Sequence, residues 1–178
     1  HNDFASYKSQ PSVQVLHMLE NECEGGESII VDGWQVAKDL KDEMPEYFSI
    51  LQNFNVPFRE FDEENETYAV EPIIRLNSKK EVVGFRYSNQ LMQMINPNLE
   101  NVDLFYKAYH ELCSRVNSEK YKSKFRLDSG HILLVSAHRV LHGRQEFKPD
   151  GKRHLQDAYY EMDNIENNLV MYQAQRSN

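Results

Sequence analysis

The segment HILLVSAHRVLHGR, residues 131–144, decides the fold class of this chain. Its first part, HILLVS, is a short apolar run bounded by turn-forming residues, and a run of that length predicts a strand. The part HRVLHGR closes that strand, and RHLQDAYYEM at 153–162 predicts a further one. Before them, apolar residues recur at helical spacing over about 101–118 and predict one amphipathic helix.

The first third of the chain also begins with strand signals. QPSVQVLHML at 10–19 predicts a strand, and a Gly-Gly turn precedes a short apolar strand at Ile29–Val31. Asp32 is a typical N-cap residue and predicts a helix over about 34–44. Pro45 suits the first turn of a second short helix.

Three more strands and a last helix are predicted in the rest of the chain. VPFREF, TYAVEPIIRL and EVVGFRYS have strand composition, and the turn NSKKE joins the last two as a hairpin. Asp163 starts the last helix. The order is strands, one long helix, then more strands, which differs from the regular alternation of a doubly wound sheet. It predicts a mainly β fold, a sandwich or barrel with flanking helices.

Composition sets the broad class of the protein. The 178 residues suffice for one domain, with 40% apolar and 27% charged residues. The net charge of −8 disfavours binding to nucleic acid. No apolar run approaches the ~20 residues of a membrane span. The two cysteines, Cys23 and Cys113, are too far apart for a zinc pair and predict reduced thiols.

His1, Asp3 and His142 form the candidate metal site. In a strand, residues i and i+2 point to the same face, so His1 and Asp3 can reach one ion. His142, directly after an apolar strand, supplies a third ligand. Two histidines and one carboxylate leave coordination positions open and suit non-haem Fe(II). Arg153 heads the next strand, and adjacent strands would place it near the metal, where it can bind a dicarboxylate bidentately.

Other interpretations of these residues stay open on spacing alone. His-x-Asp tripeptides arise by chance and also suit a solvated chain end. His138 and His142 are four apart and could share a helix face, as in some zinc hydrolases, but the Glu of a His-Glu-x-x-His site is missing. The charge run FDEENE is typical of a solvated loop.

Five segments, in order along nearly the whole chain, carry a family resemblance: HND, PSVQVLHML, GGESIIVDGWQVAKDL, RVLHGR and RHLQDAYYEMD. They resemble the Fe(II)/2-oxoglutarate dioxygenases of the taurine dioxygenase superfamily. Within it, the sequence is similar to the γ-butyrobetaine and trimethyllysine dioxygenases of carnitine biosynthesis. The resemblance implies a double-stranded β-helix (jelly-roll), with residues 1–178 as the catalytic, C-terminal portion of a longer protein and therefore an incomplete fragment.

The resemblance also assigns roles to individual residues. It implies Fe(II) ligands at His1, Asp3 and His142. It implies a 2-oxoglutarate site formed by Arg153, Leu16, Ser88 and Asn89. Tyr159 matches a tyrosine of an aromatic cage around a trimethylammonium group, where cation–π attraction operates, and Phe4 stands where the family has a tyrosine that contacts substrate.

The implied function is hydroxylation of a small trimethylammonium amino acid, γ-butyrobetaine or trimethyllysine, with dioxygen. The chain departs from the family pattern at Phe4, at Ser88 and at Ser136, Ala137 and His138. These departures motivate an alternative, a catalytically silent relative that binds a metabolite or a partner protein. By family analogy we expect an intracellular protein, mitochondrial rather than cytosolic, that can form a homodimer.

Overall fold

The computed structural model describes residues 1–176, which form ten strands and four helices. The strands are β1 (Val13–Asn21), β2 (Ser28–Asp32), β3 (Val56–Phe61), β4 (Glu66–Glu71), β5 (Ile74–Leu76), β6 (Val82–Phe85), β7 (Lys122–Phe125), β8 (Ile132–Ser136), β9 (Val140–Arg144) and β10 (Arg153–Tyr160). The helices are α1 (Gly33–Glu43), α2 (Pro45–Asn53), α3 (Val102–Asn117) and α4 (Met162–Arg176). The prediction of a mainly β chain with flanking helices is confirmed.

Two antiparallel sheets of three strands carry His142, Arg153, Tyr159 and Leu16 of the candidate site. Their strand orders are β10-β1-β8 and β7-β2-β9, and β3–β4 and β5–β6 form separate hairpins. β9 and β10 therefore lie in different sheets, because residues 145–152 carry the chain from one sheet to the other. The expectation that the strands of His142 and Arg153 are adjacent is wrong.

The core lies where α1, α2 and α3 pack together. Phe105 and Leu112 of α3 are fully buried, and the ring of Phe105 stacks on Phe54 with centroids 4.6 Å apart. The predicted N-cap is confirmed, since the Asp32 carboxylate accepts hydrogen bonds from the backbone nitrogens of Trp34 and Gln35. This cap fixes the direction in which α1 leaves the sheet.

Two predicted strands are divided differently in the structure. TYAVEPIIRL was expected to be one strand, but it forms β4 and β5 with a break at Pro72, which has no backbone N–H to donate to a ladder. His142 was expected to follow a strand, yet it lies inside β9, which pairs with β2. The turn after Ser136 lets the chain fold back into a separate strand at this point.

Residues 1–12, which contain His1 and Asp3, form a loop instead of the predicted strand. Phe4 has a φ of 56°, in the left-handed region that a strand does not use. The guanidinium of the buried Arg86 donates to the backbone oxygens of Ala5 and Tyr7, the latter at 2.6 Å. The loop is thus held from inside the protein. Among residues 1–176, no helix is both long and apolar enough to cross a membrane.

Candidate metal centre

His1, Asp3 and His142 come together beside the middle of β9. Each of them offers a ligand atom, and these three atoms lie within 4.8 Å of one another. His1 Nε2 is 3.5 Å from Asp3 Oδ1, and His142 Nε2 is 3.7 Å from Asp3 Oδ2. The two imidazole rings meet edge to face, with centroids 4.6 Å apart. The geometry is that of three donors around one small space.

Backbone hydrogen bonds align the loop with β9. The backbone nitrogen of His142 donates to the oxygen of His1 at 2.8 Å, and the nitrogen of His1 donates to the oxygen of His142 at 3.2 Å. This reciprocal pair is the pattern of two residues opposite each other in an antiparallel ladder. The loop that carries His1 and Asp3 is therefore held in a fixed register beside β9, the strand that carries His142.

Asn2 explains why His1 and Asp3 share a side although they lie in a loop. Its side chain is buried, and its Nδ2 donates to the backbone oxygens of Phe85 and Ala137. Its Oδ1 accepts from the backbone nitrogen of Tyr87 at 2.9 Å. With Asn2 anchored inward, its two neighbours point outward together. The sequence analysis missed this residue, whose only signal was a polar amide between two candidate ligands.

The Asp3 carboxylate is ionised at neutral pH. Partial burial raises the pKa of Asp3, but the contacts with His1 and Tyr159 and the charges of His142 and His1 outweigh burial and lower it to about 2. Its Oδ2 accepts from Gln14 Nε2 at 2.5 Å and from the Tyr159 hydroxyl at 2.7 Å. An ionised carboxylate is the form that binds a metal.

His142 is held towards its neutral form. Burial of the ring lowers its pKa, and this effect exceeds the opposing attraction of Asp3. The neutral imidazole is the form that donates a lone pair to a metal ion. Its Nδ1 is buried and has no hydrogen-bond partner among the residues that the structure describes.

A cavity of about 240 Å³ opens beside the triad. Phe4 lies on its wall and packs edge to face on Tyr159, with ring centroids 4.6 Å apart. Glu60 of β3 presents a further carboxylate there, held by a hydrogen bond from Ser6 Oγ at 3.5 Å. The complete lining is His1, Asn2, Asp3, Phe4, Glu60, Ser88, Gln90, Leu91 and Tyr159.

The expected 2-oxoglutarate residues are dispersed around this centre. Arg153 stands at the start of β10 with its guanidinium carbon 5.2 Å from the centre of the Phe147 ring. Its Nε is buried without a partner among residues 1–176. Burial and the nearby Arg144 lower its pKa. Leu16 is buried in β1 opposite Asp157.

Two further predicted residues make hydrogen bonds of their own. Ser88 lines the cavity, and its Oγ accepts from the backbone nitrogen of Leu91 at 3.3 Å. Asn89 lies in a neighbouring pocket with His142, and its Oδ1 accepts from the Tyr109 hydroxyl at 2.5 Å. Among the residues predicted to bind co-substrate or substrate, Phe4, Ser88 and Tyr159 line the cavity beside His1 and Asp3. Asn89 lines a second pocket instead.

The zinc alternative has no geometric support in the described residues. His138 lies in the turn between β8 and β9, whereas His142 is inside β9, so the two do not share a helix face. His138 Nε2 contacts the backbone oxygen of Gln10 at 2.9 Å and is not a member of the His1–Asp3–His142 cluster.

Curated proteins of known activity resemble this chain over most of its length. It is 30% identical over 174 residues to the γ-butyrobetaine dioxygenase of Pseudomonas sp. (strain AK-1), covering 97% of this chain and 45% of that protein. It is 30% identical over 175 residues to the mitochondrial trimethyllysine dioxygenase of Mus musculus, covering 94% of this chain and 41% of that protein. The chain thus spans less than half the length of these relatives.

The fold is shared with a solved oxygenase. The structure of an asparagine oxygenase in complex with Fe(II), 2S,3S-3-hydroxyasparagine and succinate superposes with a TM-score of 0.69 at 19% identity, covering 90% of this chain and 49% of that one. The family model described as "Taurine catabolism dioxygenase TauD, TfdA family" matches residues 1–159. With most of its length matched by that model, this chain belongs to the TauD/TfdA dioxygenase family.

Proposed function

We propose that residues 1–178 are the catalytic, C-terminal portion of an Fe(II)- and 2-oxoglutarate-dependent dioxygenase that hydroxylates a small trimethylammonium amino acid. The observation that carries this proposal is the grouping of His1, Asp3 and His142 beside an aromatic and acidic cavity. Family membership and the two relatives named above support it.

The donor set fits Fe(II). Two imidazoles and one carboxylate are the protein ligands of non-haem iron oxygenases, and they leave positions for other ligands. The lowered pKa values of Asp3 and His142 keep the carboxylate ionised and the imidazole neutral, as metal binding requires. When bound, iron with 2-oxoglutarate supplies the oxidation of a C–H bond by dioxygen, with succinate and carbon dioxide as co-products.

Arg153 is the residue we assign to the distal carboxylate of 2-oxoglutarate. Its buried, unpartnered Nε is an uncompensated donor, and a carboxylate would satisfy it. Leu16, Ser88 and Asn89 complete the proposed co-substrate site. The hydrogen bonds that already engage Ser88 Oγ and Asn89 Oδ1 leave the hydroxyl hydrogen of Ser88 and the amide nitrogen of Asn89 as the groups to face a ligand.

The cavity suits a cationic substrate. The Phe4 and Tyr159 rings offer cation–π contacts to a trimethylammonium group, which needs no hydrogen bond. The carboxylates of Glu60 and Asp3 make the lining negative, and it contains no Lys or Arg. The chain's residues would bind the cation, aim its C–H bond at the metal and exclude water. γ-Butyrobetaine and trimethyllysine, the substrates in the relatives' names, have this chemistry.

Further aspects of the proposal follow from the relatives. The two three-stranded sheets are consistent with most of a double-stranded β-helix, which we propose as the architecture of the whole protein. A role in carnitine biosynthesis and a mitochondrial location rest on the names of the relatives. A homodimer stays a prediction.

Succinate formation from 2-oxoglutarate tests the enzyme assignment. We expect the purified protein to form succinate only with Fe(II), and faster with γ-butyrobetaine or trimethyllysine than without an amine. His142→Ala removes one proposed ligand and should abolish turnover, whereas His131→Ala, which alters a histidine outside the cluster, should retain it. Undiminished turnover in His142→Ala would contradict the ligand assignment.

One observation favours the second candidate, a silent relative that binds a metabolite or partner protein. Ser88 Oγ and Asn89 Oδ1 each accept a hydrogen bond within the protein, so neither side chain is fully available to a co-substrate. If the protein binds iron but forms no succinate, with or without an amine, this second candidate replaces the first.

A further inference from the structure

The side of Asp3 that faces away from His1 is occupied by two donors from neighbouring strands. Gln14 Nε2 donates to Asp3 Oδ2 at 2.5 Å, and the Tyr159 hydroxyl donates to the same oxygen at 2.7 Å. Gln14 of β1 and Tyr159 of β10 are direct partners in the antiparallel register. Their positions relative to each other are therefore fixed by the ladder and not by a flexible loop.

Gln14 is an unusual residue for its place. It is the second residue of β1, lies between Val13 and Val15, and is only 2% exposed. Burying an amide is costly unless its hydrogen bonds are made inside the protein. Its two amide hydrogens are directed to Asp3 Oδ2 and to the Tyr159 oxygen, which lies at 3.2 Å. Both hydrogens of the buried amide are thus used in hydrogen bonds to the Asp3 carboxylate and to the Tyr159 hydroxyl, the second donor to Asp3.

Tyr159 alone could not secure the Asp3 carboxylate. Its hydroxyl is also 2.7 Å from Asp157 Oδ2, so one hydrogen is shared between two carboxylates. Gln14 keeps Asp3 Oδ2 occupied whichever carboxylate receives the phenolic hydrogen. The arrangement therefore needs both residues.

We propose that Gln14 and Tyr159 are positioning residues that hold Asp3 by Oδ2, so that it offers the metal one oxygen, Oδ1, on the side of His1. A carboxylate held in this way binds through one oxygen and keeps another coordination position available for co-substrate. This inference rests on the proposed metal site. It also gives Tyr159 a role besides the aromatic wall, because the hydroxyl and the ring serve different partners.

Co(II) alone is the probe for this inference, because its visible absorption reports coordination number and its binding needs no turnover. Tyr159→Phe keeps the ring and removes only the hydroxyl. Gln14→Leu removes the amide at nearly constant size. Loss of a residue that supports a metal ligand typically costs roughly 10- to 100-fold in metal affinity. We expect that loss for Gln14→Leu, a smaller loss for Tyr159→Phe, and an altered Co(II) spectrum in both.

Matched controls come from the opposite face of β10. Tyr160→Phe removes a hydroxyl from the next residue, which is half exposed, and Gln156→Leu removes an amide from an exposed position. Both should bind Co(II) like the parent chain with the same spectrum. A merely structural role for Gln14 and Tyr159 would lower the melting temperature of the variants and leave the spectrum of the folded protein unchanged.

The outcomes separate this inference from the function it rests on. If the parent chain binds no Co(II), the metal site itself is wrong and the inference falls with it. If the parent binds Co(II) and Tyr159→Phe matches it in affinity and spectrum, only the positioning role is overturned. Should Gln14→Leu fail to fold, Tyr159→Phe, at a partly exposed residue, still decides the question.

Discussion

The surroundings of Asp3 and of Asp32 both lower the pKa of an aspartate, but by different means. Asp32 pairs with Arg139, whose Nε lies 3.0 Å from its Oδ1, and it caps α1. That partner is charged at every physiological pH. Asp3 has no Lys or Arg partner among the described residues, and the ionisable bases beside it are the imidazoles of His1 and His142.

This difference distinguishes a carboxylate that stabilises the fold from one that serves a site. The negative charge of Asp32 is balanced within the chain. The charge of Asp3 is balanced only when a histidine is protonated or when a cation is bound. A partly buried carboxylate that is flanked by two imidazoles and has no Lys or Arg partner among the described residues therefore favours a metal ion, and experiments that exchange or remove these charges test the contrast.

The largest expected effect is on metal binding. Asp3→Asn replaces the proposed anionic ligand by a neutral amide, and we expect affinity for Co(II) or Fe(II) to fall at least about 100-fold, the upper end of what loss of a supporting residue costs. Asp32→Asn makes the same chemical change away from the site and should leave the affinity within about twofold, as for an independent site. Calorimetric titration measures both, and equal losses in the two variants would remove the contrast.

The next effect is on folding stability, where substitution of Asp32 should cost more than substitution of Asp3. Asp32→Ala removes the N-cap of α1 and the Arg139 ion pair, and should lower the free energy of unfolding by about 0.5–2 kcal/mol. Asp32→Asn should cost less, because Asn also caps helices. Urea denaturation provides the measurement. If Asp32→Asn were as damaging as Asp32→Ala, the ion pair and not the cap would be the main contribution.

A third carboxylate, Glu60, extends the comparison to the binding of a cationic substrate. It lines the cavity and forms no salt bridge within residues 1–176. Glu60→Gln should raise the KM for a cationic substrate about two- to fivefold, the range of an exposed ion pair worth up to ~1 kcal/mol. Glu66→Gln, which removes the partner of Arg59 in the same hairpin, is the control and should not change KM. A change in kcat alone would place Glu60 outside substrate binding.

The smallest effect concerns pH. The folded-state pKa of Asp32 is below its unfolded value, so its stabilising contribution is fully present above about pH 4 and is lost as pH falls through the folded-state pKa. The stability difference between the parent chain and Asp32→Asn should therefore shrink below about pH 4. Thermal melts from pH 3 to 7 measure it. A difference that grows on acidification would mean that the folded-state pKa is raised instead.

Local sequence signals predicted most elements of this fold. The spacing of apolar residues located α3, observed at Val102–Asn117 against a predicted 101–118. The Asp32 cap located α1, and VPFREF matched β3. These features depend on neighbours in the chain, which the sequence displays directly.

Sheet partners were harder to predict, because pairing depends on distant segments. The assumed neighbourhood of His142 and Arg153 was wrong, since β9 and β10 joined different sheets. His1 and Asp3 met by way of the Asn2 anchor instead of strand alternation. Gln14 could have been suspected from the sequence, as an amide between Val13 and Val15 in a predicted strand, but nothing local indicated that its partner is Asp3.

The reciprocal backbone bonds between His1 and His142 have a mechanical consequence. They join two imidazole-bearing residues through the main chain, so the separation of the two backbones is set by the spacing of a β-ladder, and the rings pack edge to face across it. Any displacement of β9 moves both rings together. The third donor, Asp3, is tied instead to Gln14 and Tyr159 of the other sheet. Sliding of one sheet over the other is then the motion that would change the size of the space between the three donors.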